Sequence, residues 1–150
     1  MSDRNLTHLY PDFQIKVKLV LADMDAWCAK HKPGFKAIIV EGLRSADYQR
    51  SLWVQGRTKK GPIVTYKDGF IKLSNHQTGL AVDIVPQKGA FIDWDDMRFY
   101  TYLQHIAHMH GLVSGADWKT FKDMDHIEWP TSDHETYKKA EVWLKSKGLL

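Results

Sequence analysis

Cysteine is almost missing from this chain, with one residue, Cys28, among 150. That excludes an internal disulfide framework and a cysteine-built zinc site. No window approaches the ~20 apolar residues of a membrane-spanning helix. The opening "MSDRNLTHLYPDF" lacks a basic segment followed by an apolar one, so no secretion signal is read there. Charge of one sign is barely in excess, 21 Lys and Arg against 18 Asp and Glu. Such a balance allows mild attraction to anionic surfaces and gives no argument for nucleic acid. Internal repeats, low-complexity tracts and linkers are also absent. The expectation is one domain over residues 1–150, long enough to bury a core.

What is present is a globular composition: 43% hydrophobic, 26% charged, and six each of Trp, Tyr and Phe. Phe13, Val17, Val20, Leu21, Met24 and Trp27 recur at helical spacing until "HKPG" at 31–34 stops the helix. "KAIIVE" (36–41) reads as a strand. Ser45 caps a helix running to about Gln55, with Gly56 behind it. The basic, glycine-bearing stretch 56–73 reads as a surface loop with a hairpin around "KDG". Residues 80–85 form a second strand, ended or marked as an edge by Pro86. A helix covers roughly 95–110, "DHIEW" (125–129) is a third strand, and Ser132 or Asp133 caps a last helix to about Lys147. Helices and short strands mix without a strict βαβ rhythm. The fold class expected is α+β, with helices packed on a small, mostly antiparallel sheet.

Asp83 interrupts an apolar strand. Side chains alternate along a strand, so Leu80, Val82 and Ile84 share the core face and Asp83 points the other way with Ala81 and Val85. A carboxylate buried alone is very costly, so Asp83 needs a partner. In "DHIEW", Ile127 and Trp129 face one way while His126 and Glu128 face the other, and Asp125 is expected to point away if the strand begins there. His76 lies in the loop before the first of these strands. Two imidazoles and one carboxylate, with a fourth position open, make up a catalytic zinc site. A bound zinc acidifies water and polarises a carbonyl. A hydrolase then needs a further carboxylate to move protons, and Asp123 is favoured for that, with Glu128 orienting a ligand from behind. Spacing alone leaves the other reading open, that these are surface and hydrogen-bonded polar residues.

The wording of the motifs adds a resemblance. "SNHQTGLAVDI" (74–84) resembles the Ser-x-His-x-x-Gly-x-Ala-x-Asp signature of zinc D-Ala-D-Ala carboxypeptidases and dipeptidases and of phage L-alanyl-D-glutamate endopeptidases. "DMDHIEW" (123–129) resembles the second half of that site, and "EGLRSADYQRSLWVQGRT" (41–58) the upstream segment of the endolysin branch. The likeness spans roughly residues 6–130. It implies the small α+β fold of the Hedgehog/DD-peptidase-like zinc peptidases and one catalytic zinc ion held by His76, Asp83 and His126. It makes Asp123 the general base, where the carboxypeptidase branch more often has Glu, and Arg44 the donor to the scissile carbonyl. Ser74 is implied to contact substrate, with Gln49, Gln55 and Arg57 as weaker cleft residues. The substrate implied is the stem peptide of bacterial peptidoglycan, first of all its L-Ala–D-Glu bond. The setting implied is a compact, monomeric phage endolysin without a separate wall-binding domain. It would be made in the host cytoplasm and reach the wall once the membrane is opened, with no insertion into it.

Other readings compete. A D-Ala-D-Ala carboxypeptidase belongs to the same superfamily. A metal-independent muramidase would use Glu41 as acid with Asp47 or another carboxylate as partner. A Cys-His peptidase on Cys28 is weaker, because that residue reads as helix packing. A zinc-stabilised module could bind peptidoglycan without cutting it. His105, His108 and His110 read as a solvated or packed helix face, and Lys59 and Lys60 as a solvated loop.

Overall fold

In the computed structural model, which describes residues 2–150, four helices pack with one five-stranded sheet. Helix α1 (Pro11–His31) begins with proline in its first turn, where the missing N–H has no partner to lose. Its buried residues Phe13, Val17, Val20, Met24 and Cys28 follow the three-and-four spacing of one helix face. That stripe meets Phe99, Leu103, Ile106 and Ala107 of α3 (Met97–Met109), and both lie on the sheet face carrying Leu80, Val82, Ile84 and Ile127. Lys30 and His31 in the last turn suit the negative end of the helix dipole.

The remaining elements are β1 (Lys36–Glu41), α2 (Ala46–Val54), β2 (Ala81–Lys88), β3 (Phe91–Ile92), β4 (Val113–Ser114), β5 (His126–Glu128) and α4 (His134–Ser146). The sheet runs β1-β2-β5-β4, with β3 paired to the far end of β2, and every pairing between these strands is antiparallel. Two strand pairings carry the site. Asp83 stands opposite His126 in the β2–β5 ladder. The β1–β2 register slips between Ile39 and Glu41, so that Glu41 rather than Val40 stands opposite Asp83. A slip of one residue changes the face a side chain occupies, and here it brings Glu41 round to the site.

Three expectations are corrected. Strand β2 does not end at Pro86 but runs through it to Lys88. Pro86 pairs with Ala37 on one side, and on the other lies between the β5 ladder, which stops at Asp83, and the β3 ladder, which starts at Gln87. The N–H it lacks would point into that gap. Residues 56–73 form no hairpin. Their one bridge pairs Gln55 with Lys59, and "KDG" is a turn in which the Asp68 carboxylate accepts from the N–H groups of Phe70, Ile71 and Lys72. Val85, expected beside Asp83 on the site face, is instead fully buried in the hydrophobic core.

Candidate metal centre and its cleft

A short 3₁₀ turn, Asn75–Thr78, presents the first imidazole. Ser74 caps it, its hydroxyl accepting from His76 N–H while its own N–H donates to the Gln77 side chain. Gly79 ends the turn at φ +71°, a left-handed conformation that glycine adopts without strain. The second imidazole and the carboxylate come from facing positions of β5 and β2.

His76 Nε2 lies 3.2 Å from His126 Nδ1 and 3.3 Å from Asp83 Oδ1, and His126 Nδ1 lies 3.1 Å from the same oxygen. Zinc bonds of 2.0–2.2 Å in a tetrahedron put neighbouring donor atoms about 3.3 Å apart, so this triangle is the size of one zinc coordination face. The donor set, two imidazoles and a carboxylate, also suits zinc. Each ring's other nitrogen is engaged. His76 Nδ1 bonds the Gly42 carbonyl at 2.9 Å, and His126 Nε2 lies 2.7 Å from Glu128 Oε1. Glu128 is held in turn by Asn75 Nδ2 at 2.6 Å. Such outer contacts fix both ring orientation and tautomer.

The electrostatics point the same way. Burial opposes ionisation of Asp83, yet the two imidazoles beside it hold its carboxyl well below the usual range. Burial pulls the His126 ring down, but hydrogen bonds to Asp83 and Glu128 outweigh it and push it up to about 10. The pocket is built to hold positive charge.

Asp123 lines the cleft, and its carboxylate lies within 4.8 Å of that of Asp83. Gly115 accepts from Asp123 N–H at 3.2 Å, and a Cβ on Gly115 would collide with the Asp123 carbonyl oxygen. Glycine there lets the loop carrying Asp123 close in. Asp125 was expected to point away but joins Asp83 and Asp123 in a second acidic cluster. Strand β5 begins only at His126, so Asp125 sits in the preceding turn, where strand alternation does not apply. Burial, a hydrogen bond with Asp123 and the charge of Asp83 push its carboxyl up to about 9, keeping it protonated at neutral pH.

The cleft in front of these groups has a volume of about 720 Å³. Arg44, Gln55, Ser74 and Glu128 line it. Arg44 Nε donates to Glu41 Oε1 at 3.0 Å and Nη1 to Gln49 Oε1 at 2.7 Å, leaving Nη2 without a partner among the described residues. Gln55 sits at the rim, its amide donating to the Pro62 carbonyl. Gln49 is not a cleft residue. It is fully buried, clamping Arg44 with its oxygen while its nitrogen donates to Thr65 Oγ1 and the Lys67 carbonyl. Arg57 is also turned away. It donates to the Trp53 and Thr65 carbonyls and stacks on the Trp53 ring, stapling the loop after α2.

Sequence reasoning missed Asn75 and passed over two other groups. Trp118 lies with its ring 5.0 Å from that of His126. Tyr66 and Phe121 meet edge-on at the mouth, centroids 5.2 Å apart. The other chemistries lose their parts here. Glu41 is tied to Arg44 and to the Ser2 hydroxyl, while Asp47 is exposed outside the cleft. Burial pushes the Cys28 thiol up to about 11, so it carries no thiolate at neutral pH. His108 and His110, read as a solvated or packed helix face, pair with Asp117 and Asp23.

Residues 69–129 match the family model described as D-alanyl-D-alanine carboxypeptidase. The chain is similar to the peptidoglycan L-alanyl-D-glutamate endopeptidase CwlK of Bacillus subtilis (strain 168), 42% identical over a 106-residue alignment, with 63% of this chain and 61% of that protein covered. The chain therefore spans less than two thirds of the length of this curated relative. Among solved structures, the L-Ala D-Glu endopeptidase ChiX of Serratia marcescens superposes with a TM-score of 0.59 at 24% identity, over 89% of this chain and 92% of that one. DacB from Streptococcus pneumoniae D39 does so with a TM-score of 0.56 at 18% identity, over 93% and 77%. At these identities the two structures speak for the fold. The matched segment holds His76, Asp83, Asp123, His126 and Glu128, while Arg44 lies outside it.

Proposed function

We propose that this chain, whose residues 69–129 belong to the D-alanyl-D-alanine carboxypeptidase family of peptidases (peptidase family M15), is a zinc-dependent peptidoglycan hydrolase. Its target is the L-Ala–D-Glu bond of the stem peptide. The observation that carries the reading is the triangle of donor atoms 3.1–3.3 Å on a side, with the second nitrogen of each imidazole already bonded. The choice of bond is supported by the 42% identity to an L-alanyl-D-glutamate endopeptidase.

His76, Asp83 and His126 would hold the ion, which when bound supplies Lewis acidity for the scissile carbonyl and for water. Asp123 takes the proton of the attacking water and passes it to the leaving amine, a role worth about 10²–10⁴-fold in rate. Asp125, its carboxyl pushed up by burial and by the neighbouring Asp123 and Asp83, lies beside it. Arg44 directs its unpaired Nη2 to the carbonyl oxygen as charge develops there. Glu41 and Gln49 hold the guanidinium in that orientation. Ser74 positions His76 through its cap and lines the cleft beside the substrate.

The test is digestion of purified peptidoglycan with and without a chelator, assaying new amino termini, free D-Ala and reducing ends. New N-terminal D-Glu, lost with chelator and restored by zinc, is the expected result. Release of D-Ala would make the chain a carboxypeptidase, and reducing ends insensitive to chelator would make it a muramidase. Binding without cleavage, unchanged in Asp123→Ala, would make it a recognition module.

A further inference from the structure

The chain's modest net charge is unevenly distributed. Residues 56–73 carry Arg57, Lys59, Lys60, Lys67 and Lys72 against Asp68 alone, a net +4 in a chain whose total is +3. The rest of the molecule is slightly acidic. The same segment holds exposed Ile63, Val64, Phe70, Ile71 and Leu73, with Ile71 at 88% and Phe70 at 59% the most prominent on its outer edge. Cations and large apolar side chains crowding one exposed segment are not the ordinary solvated loop.

This loop is built rather than slack. The buried Gln49 amide bonds the Lys67 carbonyl at 2.7 Å, and the Gln77 amide bonds the Gly69 carbonyl at 2.9 Å. Gly69, at φ +90°, packs so tightly that an added Cβ would meet the Ala46 carbonyl and the Gln49 side chain. The Asp68 carboxylate collects three successive N–H groups. Two buried amides and one turn thus anchor the inner edge, and Phe70 and Ile71 are left projecting beside Lys72.

We propose that residues 56–73 dock the protein on the surface of an anionic phospholipid bilayer. Charge alone would suit any polyanion. The apolar tip decides, because a hydrated, charged wall polymer offers nothing to cover Ile71 and Phe70, whereas the acyl boundary of a bilayer does. Basic side chains flanking apolar ones, facing lipid phosphates, are the general make-up of interfacial attachment. Among the described residues no helix is long and apolar enough to cross a membrane, and the attachment proposed is one at the interface. Val64, Thr65, Tyr66 and Lys67 also line the cleft, so docking would bring the cleft mouth to the membrane face. The proposal does not depend on the peptidase reading.

The test is co-sedimentation of the full chain with vesicles of phosphatidylglycerol and phosphatidylcholine, against phosphatidylcholine alone. Binding to the anionic vesicles at least tenfold above the neutral ones, lost in high salt, is expected. Phe70→Ser with Ile71→Ser should lower the partition about tenfold or more. Lys59→Gln with Lys60→Gln should lower it about 25-fold at low salt, roughly fivefold per lysine. These four side chains lie outside the cleft, and an unchanged melting temperature establishes that the variants are folded. Equal binding to neutral and anionic vesicles overturns the proposal. So does a serine pair that binds like wild type. So does binding to purified wall polymer but not vesicles, which would make the partner the wall.

Discussion

Replacing Glu128 with alanine removes the acceptor behind His126 without touching any of the three donor atoms. Both side chains are 5% exposed and meet at 2.7 Å, so water cannot stand in for the lost carboxylate without opening the site. His126 Nε2–H and the Asn75 amide, which bonds the other oxygen, are orphaned together. Groups in this position are generally worth 10–100-fold in metal affinity, about 1.4–2.7 kcal/mol. Glu128→Gln keeps an acceptor for the ring but gives up the charge, which roughly halves such a bond, so a loss of about 3–10-fold is expected. Asn75→Ala removes only the support of the support and should cost less than about threefold. The order Ala, then Gln, then Asn75→Ala is the signature, read by competition with a chromophoric chelator at fixed pH on folded protein. Wild-type affinity in Glu128→Ala would mean that packing against Trp118, not this hydrogen bond, orients the ring. Wild-type affinity in His76→Ala or His126→Ala would remove the metal centre altogether.

The remaining predictions follow from neighbouring geometry. Asp123→Ala should keep one zinc per chain yet lose turnover about 10²–10⁴-fold; near-normal cleavage of peptidoglycan by this variant would move the base to Asp125. Gln49→Leu removes a fully buried amide and strands its three hydrogen-bond partners, which should lower stability by about 1–3 kcal/mol and the melting temperature by about 2–10 °C. Turnover should fall more than KM rises, because Arg44 loses one of its two clamps; unchanged kcat would make Gln49 purely structural. Lys32 bridges Asp93 and Asp96 at 2.8 Å, and despite the burial that opposes ionisation of Asp96 both carboxyls are held below their usual range. Their contribution is therefore present above the ordinary aspartate pKa and disappears as pH falls below about 4. The melting-temperature gap between wild type and Lys32→Met should narrow between pH 6 and pH 2.5; a constant gap would show that the lysine acts only by packing.

Much of the fold was legible because its long elements repeat one simple pattern. The α1 stripe from Phe13 to Cys28, the caps at Ser45 and Asp133, and the "KAIIVE" strand each follow from spacing or one capping side chain. Strands β3 and β4, two residues each, have no period to read, and they exist only because β2 and β5 offer free edges. The same reason explains Pro86. A proline looks like a strand end in a string of letters and is tolerated mid-strand when the neighbouring ladders leave a gap opposite its nitrogen.

The site divides along a related line. His126 and Glu128 share a face by strand alternation, and Asp83 is conspicuous among apolar neighbours, so the donor atoms and one support could be found from parity and chemistry. Parity failed at Asp125 because alternation holds only inside a strand, and the strand starts one residue later. It failed at Glu41 for the opposite reason. The slip in β1 adds a residue that no composition rule announces, and the extra residue turns a carboxylate into the site, where Arg44 needs it. Gln49 shows the third way in which sequence falls short. A polar residue on an otherwise amphipathic helix beside a cleft reads as a contact for ligand, but a buried glutamine needs partners for both its N–H donors and for its oxygen. The loop at 65–67 and Arg44 satisfy all three from different directions. What is fixed by one strand or one cap can be read locally, whereas the orientation of Arg44 depends on a β-bulge, a buried amide and a loop 16 to 18 residues further on, which only the folded chain brings together.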